Sequence, residues 1–191
     1  MARDTARRAE LGAAATDYAL THGLIGLSLR PLAAELGTSD RMLLYHFDGK
    51  DDLVATVLRT SSDRSVAEIR SLAPSRDVRT AVLDLWKAAT AERMDRCRRL
   101  YVEAAALGLL GREPYVMVVA EANERWVRAM ADHLVASGAD RRAARRAVAL
   151  LDATFMGLQL DLPLDSTDPA IRRVIRDVAD TVARIAGQGR A

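Results

Sequence analysis

Apolar residues recur every three or four positions along almost the whole chain, and no run of alternating β-branched residues interrupts them. A repeat near 3.6 lines one side of an α-helix, whereas a half-buried strand needs a repeat of two, so an all-α fold is expected. The repeat divides into helices at about 4–22, 29–36, 39–47, 50–72, 76–93, 94–110, 114–136, 140–162 and 169–187, separated mostly by glycine and proline. The boundary at 93/94 is the least marked. A chain of 191 residues supports one full-sized core or two small domains. The only composition shift that suggests a border lies near residue 50.

Half the residues are hydrophobic and 28% are charged, which excludes a disordered tail, a collagen-like repeat and a coiled-coil rod. The single cysteine, Cys97, closes no intramolecular disulfide and supplies no thiolate zinc cluster. No apolar run of signal-peptide type follows Arg3, Arg7 and Arg8, and no stretch of about 18 uninterrupted apolar residues occurs. A cytoplasmic protein without membrane association is expected. The formal net charge is only +2, and residues 1–50 balance Arg3, Arg7, Arg8, Arg30, Arg41 and Lys50 against Asp4, Glu10, Asp17, Glu35, Asp40 and Asp48. Any contact with nucleic acid must therefore come from arrangement and not from bulk charge.

Residues 28–47 read SLRPLAAELGTSDRMLLYHF, two short helices joined by a tight turn. Ser28 offers an N-cap oxygen, and Pro31 is tolerated because it lies in the first turn. Ala33 is small enough for two helices to cross closely, and Gly37 stands where the chain must take a conformation most side chains resist. Leu32, Leu36 and Leu43 supply the apolar contacts of the crossing. Ser39 caps the second helix, whose N-terminal end presents Ser39, Asp40, Arg41 and Met42 outward, as a recognition helix entering a major groove would. Arg41 has the donors for guanine edges, while Tyr45 and His46 can bond phosphate. Spacing alone also fits a helical corner in a bundle enzyme. Asp48 is a candidate cap for the fourth helix, and Asp51 suits its positive end.

With its flanks, this segment resembles the TetR family of bacterial transcriptional regulators. The resemblance rests on Gly23 ending a helix, Ser28 with Arg30, Ala33 with Gly37, Tyr45-His46-Phe47, and Lys50-Asp51-Asp52-Leu53. It implies that Ser28 and Lys50 lie against phosphate, that Arg30 and Arg41 read bases, and that Tyr45 and His46 grip the backbone. The family usually has tyrosine where this chain has Leu44, so Tyr45 must carry more of the anchoring. It usually has a branched aliphatic residue where Thr38 stands, so Thr38 either packs its methyl inward or joins the contact surface. Asp40 repels a phosphate backbone unless it accepts from a cytosine amine or pairs with Arg41. Phe47 is expected in the core, and His46 fits an interior position equally well.

Beyond residue 50, Ala147 to Leu164 is apolar nearly all round, interrupted by Asp152, Thr154, Gln159 and Asp161. Such a helix needs more partners than the rim of a monomer supplies. The last helix carries Ile171, Val174, Ile175, Val178, Val182 and Ile185 on one stripe, with Asp168 as cap and Pro169 as first residue. The resemblance implies that the last two helices pair in a homodimer and that two recognition helices meet a palindromic operator in double-stranded DNA. It divides the chain into a three-helix DNA-binding domain, residues 1–50, and a larger helical effector-binding and dimerisation domain, residues 51–191. Trp86, Cys97, Tyr101, Leu107, Met117, Trp126, Met130 and Phe155 are the side chains available to line an effector cavity. Glu103, alone in an apolar stretch, should reach solvent, pair with an arginine, or face that cavity. His133 reads as a hydrogen-bonded core histidine.

No metal-ligand spacing or nucleophile pairing is visible, and no cofactor is expected. Cys97 lies among Arg96, Arg98 and Arg99, which fits either a lowered thiol pKa or a surface charge cluster. The expected function is a homodimeric repressor released from its operator by a small-molecule effector. The alternative is a helical-bundle enzyme or carrier with a structural N-terminal corner.

Overall fold

The computed structural model of the chain describes residues 2–161 and 169–187. Those residues form nine α-helices and no strand: α1 (Ala2–His22), α2 (Leu29–Glu35), α3 (Asp40–Tyr45), α4 (Lys50–Arg70), α5 (Val78–Ala89), α6 (Glu92–Leu109), α7 (Tyr115–Ala136), α8 (Arg141–Asp161) and α9 (Pro169–Gly187). The expected all-α class is what the chain adopts. Asp168, Pro163 and Leu164 lie outside the described residues.

Helix ends differ from expectation where a side chain takes over a backbone group. Asp77 is extended, and its carboxylate accepts from the Thr80 amide at 2.7 Å, so α5 starts at Val78. The α5–α6 break falls at Thr90 and Ala91, not at 93/94; the Thr90 amide bonds to the Trp86 carbonyl at 3.0 Å, and its hydroxyl bonds to the same carbonyl. At the start of α4 the side chain that reaches back belongs to Asp52, which accepts from the Asp48 amide at 2.9 Å.

The chain divides into two compact units. The first contains Met1–Ser65 and Glu92–Glu124. Its core joins Leu11, Ala15 and Ala19 of α1 to Leu32, Ala33 and Leu43 of the next two helices and to Phe47 just after them. Leu53, Val54, Val57 and Leu58 of α4 enter the same core, as do Leu100 and Ala104 of α6 and Val118 of α7. The unit is therefore larger than residues 1–50, because the first half of α4 and Leu100 and Ala104 of α6 are buried with α1–α3.

The second unit contains Val66–Ala91 and Arg125–Ala191. Its core gathers Val82 and Leu85 of α5, Met130 and Leu134 of α7, Val148, Leu151 and Phe155 of α8, and Ile175, Ala179 and Val182 of α9. The stripe on α9 packs on α5 and α8 of its own chain: Ile171, Ile175 and Val182 are buried, whereas Val174 is 39% exposed. Among the described residues no helix is long and apolar enough to cross a membrane.

Candidate nucleic-acid interface

The α2–α3 corner is set by the way α2 ends. Gly37 has φ +64, the left-handed region that a Cβ disfavours. With this residue turned, the Thr38 amide reaches back to the Ala33 carbonyl at 2.9 Å and the Gly37 amide to Ala34 at 3.1 Å, a Schellman closure. Leu32, Ala33 and Leu43 are buried at the crossing, as expected from their spacing.

α3 then starts from Ser39, whose hydroxyl accepts from the Met42 amide at 3.2 Å. One face of this short helix is buried through Leu43, and the other carries Asp40, Arg41, Met42 and Tyr45 to solvent. Tyr45 is 73% exposed and meets His46 edge-on, with centroids 5.2 Å apart. Asp40 accepts from the amide of Arg41 at 3.2 Å, and no contact fixes the Asp40 side chain to the Arg41 guanidinium. Arg30 is exposed on α2, Thr38 is half-buried in the turn, and His46 is half-buried at the end of α3.

Ser28 departs from its expected role. Its backbone is extended as an N-cap requires, but its hydroxyl makes no capping bond. The residue three positions on is Pro31, which has no N–H to donate, so the exposed Ser28 hydroxyl is left for another partner. Lys50 has a partner within the chain: its ammonium donates to the Leu27 carbonyl at 2.6 Å, which uses one of its three N–H groups.

Two residues that sequence reasoning missed hold this surface in place. The Arg8 guanidinium donates to the His46 carbonyl at 2.6 Å and to Asp52 at 2.8 Å, and lies 4.6 Å over the buried Phe47 ring. Burial pushes the Asp52 carboxyl up, but the Asp48 amide and the Arg8 guanidinium together hold it below its ordinary value. Glu103 meets none of its three expected fates. Its carboxylate accepts from the Leu24 amide at 2.6 Å and the Ile25 amide at 2.7 Å, just after Gly23 ends α1. A Cβ at Gly23 would come within 2.9 Å of that carboxylate, so glycine suits the site twice over: it also has φ +82. The turn before α2 is thus held by α6 at its start and by Lys50 of α4 at its end. The pairings span 23 to 79 residues, and no local signal marks them.

The residues expected around an effector divide between the units. Trp86, Trp126, Met130 and Phe155 come together in the second, with Met130 fully buried. Cys97, Tyr101, Glu103, Leu107 and Met117 belong to the first. Cys97 is buried, and Arg98 and Arg99 both pair with Asp95, the first with its side chain largely buried and the second with it exposed. Met117 is 59% exposed, against the expectation of an enclosed side chain. His133 is 6% exposed with its Nε2 3.5 Å from the Ser75 hydroxyl, and burial holds its pKa below the ordinary value, as a core histidine requires.

Residues 11–57, which contain the α2–α3 corner, match the family described as bacterial regulatory proteins, tetR family. No curated protein matches the chain. Among solved structures, a transcriptional regulator from Rhodococcus sp. Rha1 is 26% identical, with 94% of this chain and 95% of that one covered at a TM-score of 0.67. A TetR-family transcriptional regulator from Rhodococcus sp. reaches a TM-score of 0.74 at 20% identity, covering 93% of this chain and 98% of that one. The multidrug binding protein EbrR, complexed with imidazole, is 29% identical over 93% of this chain and 94% of its own, at a TM-score of 0.63. The helix-turn-helix segment is thus matched as that of the TetR family, and the fold of the chain is that of TetR-family transcriptional regulators along nearly its whole length.

Proposed function

We propose that the protein is a homodimeric repressor whose two α3 helices read the half-sites of a palindromic operator and which a small-molecule effector releases. The observation that carries this reading is the exposed face of α3. Asp40, Arg41, Met42 and Tyr45 are exposed on a helix whose opposite side is buried and whose ends are pinned. A recognition helix requires that combination of a rigid support and an unoccupied polar edge. Arg41 and Arg30 are assigned to base edges, with Asp40 as a candidate acceptor from a cytosine amine. Ser28, Thr38, Ser39, Tyr45, His46 and the remaining donors of Lys50 are assigned to the phosphate backbone and its flank. Residues 1–50 carry the DNA contacts, and residues 51–191 carry effector binding and dimerisation.

Support for the dimer comes from α8. Leu150, Ala153, Gly157 and Leu160 are exposed at helical spacing, Leu150 and Leu160 by 41% and 50%. A Cβ on Gly157 would meet nothing within 4 Å, so the middle of this stripe has room for a second helix to approach closely. Val174 adds an exposed apolar side chain on α9. Support for an effector comes from EbrR, a multidrug binding protein with structures in complex with imidazole, proflavin and ethidium at 26–29% identity. Release requires that the effector bind the DNA-free arrangement more tightly than the DNA-bound one, since equal affinity shifts nothing. A regulator of this kind works in the cytoplasm without catalysis of its own.

Salt dependence tests the reading. If six or more phosphates are neutralised, affinity for a duplex carrying the operator falls about a thousandfold between roughly 50 and 200 mM salt. Binding that is absent at the lower salt, or insensitive to salt, contradicts it.

A further inference from the structure

The second compact unit gathers both tryptophans of the chain and Phe155 around one carboxylate. Asp152 and Phe155 lie one turn apart on the same side of α8. The Trp126 side chain of α7 hydrogen-bonds to Asp152. Trp86 of α5 meets Phe155 edge-on, with centroids 5.0 Å apart and the rings at 68°. Phe155 is buried, while both tryptophans and Asp152 are half-buried, so the cluster keeps part of its surface in contact with solvent.

Removing a carboxylate from water is costly unless a partner compensates. Burial pushes the Asp152 carboxyl above its ordinary range, and the bond from Trp126 offsets only part of that effect. Among the described residues no basic side chain pairs with Asp152. The same unit does use such pairs elsewhere, as Arg79 meets Asp180 at 2.5 Å. An anion with aromatic neighbours and no counter-cation is half of a binding site. A hard metal ion would need several oxygen ligands, which one carboxylate among rings does not supply. A weakly hydrated organic cation gains from both parts, by charge from the carboxylate and by the ring quadrupoles.

We propose that Asp152, Trp126, Trp86 and Phe155 form a binding site for an organic cation, a quaternary or aromatic ammonium. Where this cation is also the effector, the inference rests on the effector-responsive reading above. The other two fates of such a cluster, a neutral apolar pocket or a purely structural indole–carboxyl bond, are outcomes of the test.

Both tryptophans of the chain stand at this site, so intrinsic fluorescence reports it directly. The full chain is titrated with benzyltrimethylammonium and with neopentylbenzene, in which carbon replaces the charged nitrogen. Saturable quenching by the cation, with affinity about tenfold or more above that for the neutral analogue, is expected. Asp152→Asn keeps an acceptor for Trp126 and should reduce cation affinity to that of the analogue, while Asp152→Glu should retain the preference. Equal affinity for the two probes, no response to either, or an unchanged preference in Asp152→Asn overturns the site. If Asp152→Asn does not fold, the two-probe comparison on the natural chain and on Asp152→Glu decides. Duplex binding in the presence of the cation is a separate readout: unchanged duplex affinity contradicts the effector role, while quenching that depends on Asp152 still supports the site.

Discussion

Arg41 and Tyr45 share an exposed helix face, yet their chemistry assigns them different work. A guanidinium can bond two acceptors on a guanine edge at once, so Arg41→Ala should cost about 1–3 kcal/mol and relax preference at one base position. A phenol on phosphate carries no sequence information, so Tyr45→Phe should weaken all duplexes alike. Both side chains are exposed, and neither change should alter thermal stability appreciably. Affinities over a set of single-base operator variants check this: selective loss for Tyr45→Phe, or uniform loss for Arg41→Ala, would reverse the assignments. At this scale the sequence was legible where chemistry is local. Gly37, Leu43 and Phe47 take the places their types require, and Ser39 caps its helix. Ser28 stands at the expected N-cap position of α2 but makes no side-chain capping bond, because Pro31, three residues on, has no N–H to give.

Among the elements, the turn between α1 and α2 carries the most information about how the reading surface is held. Glu103 on α6 accepts the Leu24 and Ile25 amides, while Lys50 on α4 donates to the Leu27 carbonyl. A charged acceptor on two amides contributes about 1.5–3 kcal/mol per bond before losses to solvent. Glu103→Ala should therefore increase hydrogen exchange at the Leu24 and Ile25 amides selectively and weaken operator binding without changing which bases are preferred. Glu103→Gln, which keeps one acceptor oxygen, should fall between that variant and the natural chain. Exchange at those two amides that is indifferent to both changes would contradict the clamp. The sequence marked Glu103 as an odd carboxylate in an apolar stretch, but its partners lie 78 and 79 residues away, beyond any periodicity. Arg8 and Asp52, 44 residues apart, escaped notice for the same reason.

For the whole molecule, helical content and most helix ends followed from the apolar repeat and its glycine and proline breaks. The composition of the two units did not, because α6 and the first part of α7 bury their faces with the N-terminal helices, a tertiary choice that the repeat leaves open. The apolar stripe of α9 was legible in the sequence, and α5 and α8 of the same chain cover much of it. The stripe on α8 stays exposed in the single chain, and the two-fold pairing proposed there predicts that the DNA sequence recognised has two-fold symmetry as well. The central claim is most directly tested by selecting bound duplexes from a random pool with the full-length protein at about 0.15 M salt. Enrichment of an inverted repeat, with half-sites about one helical turn or more apart, is the predicted result. A folded protein that enriches no sequence, or only an unrepeated single site, would contradict the account.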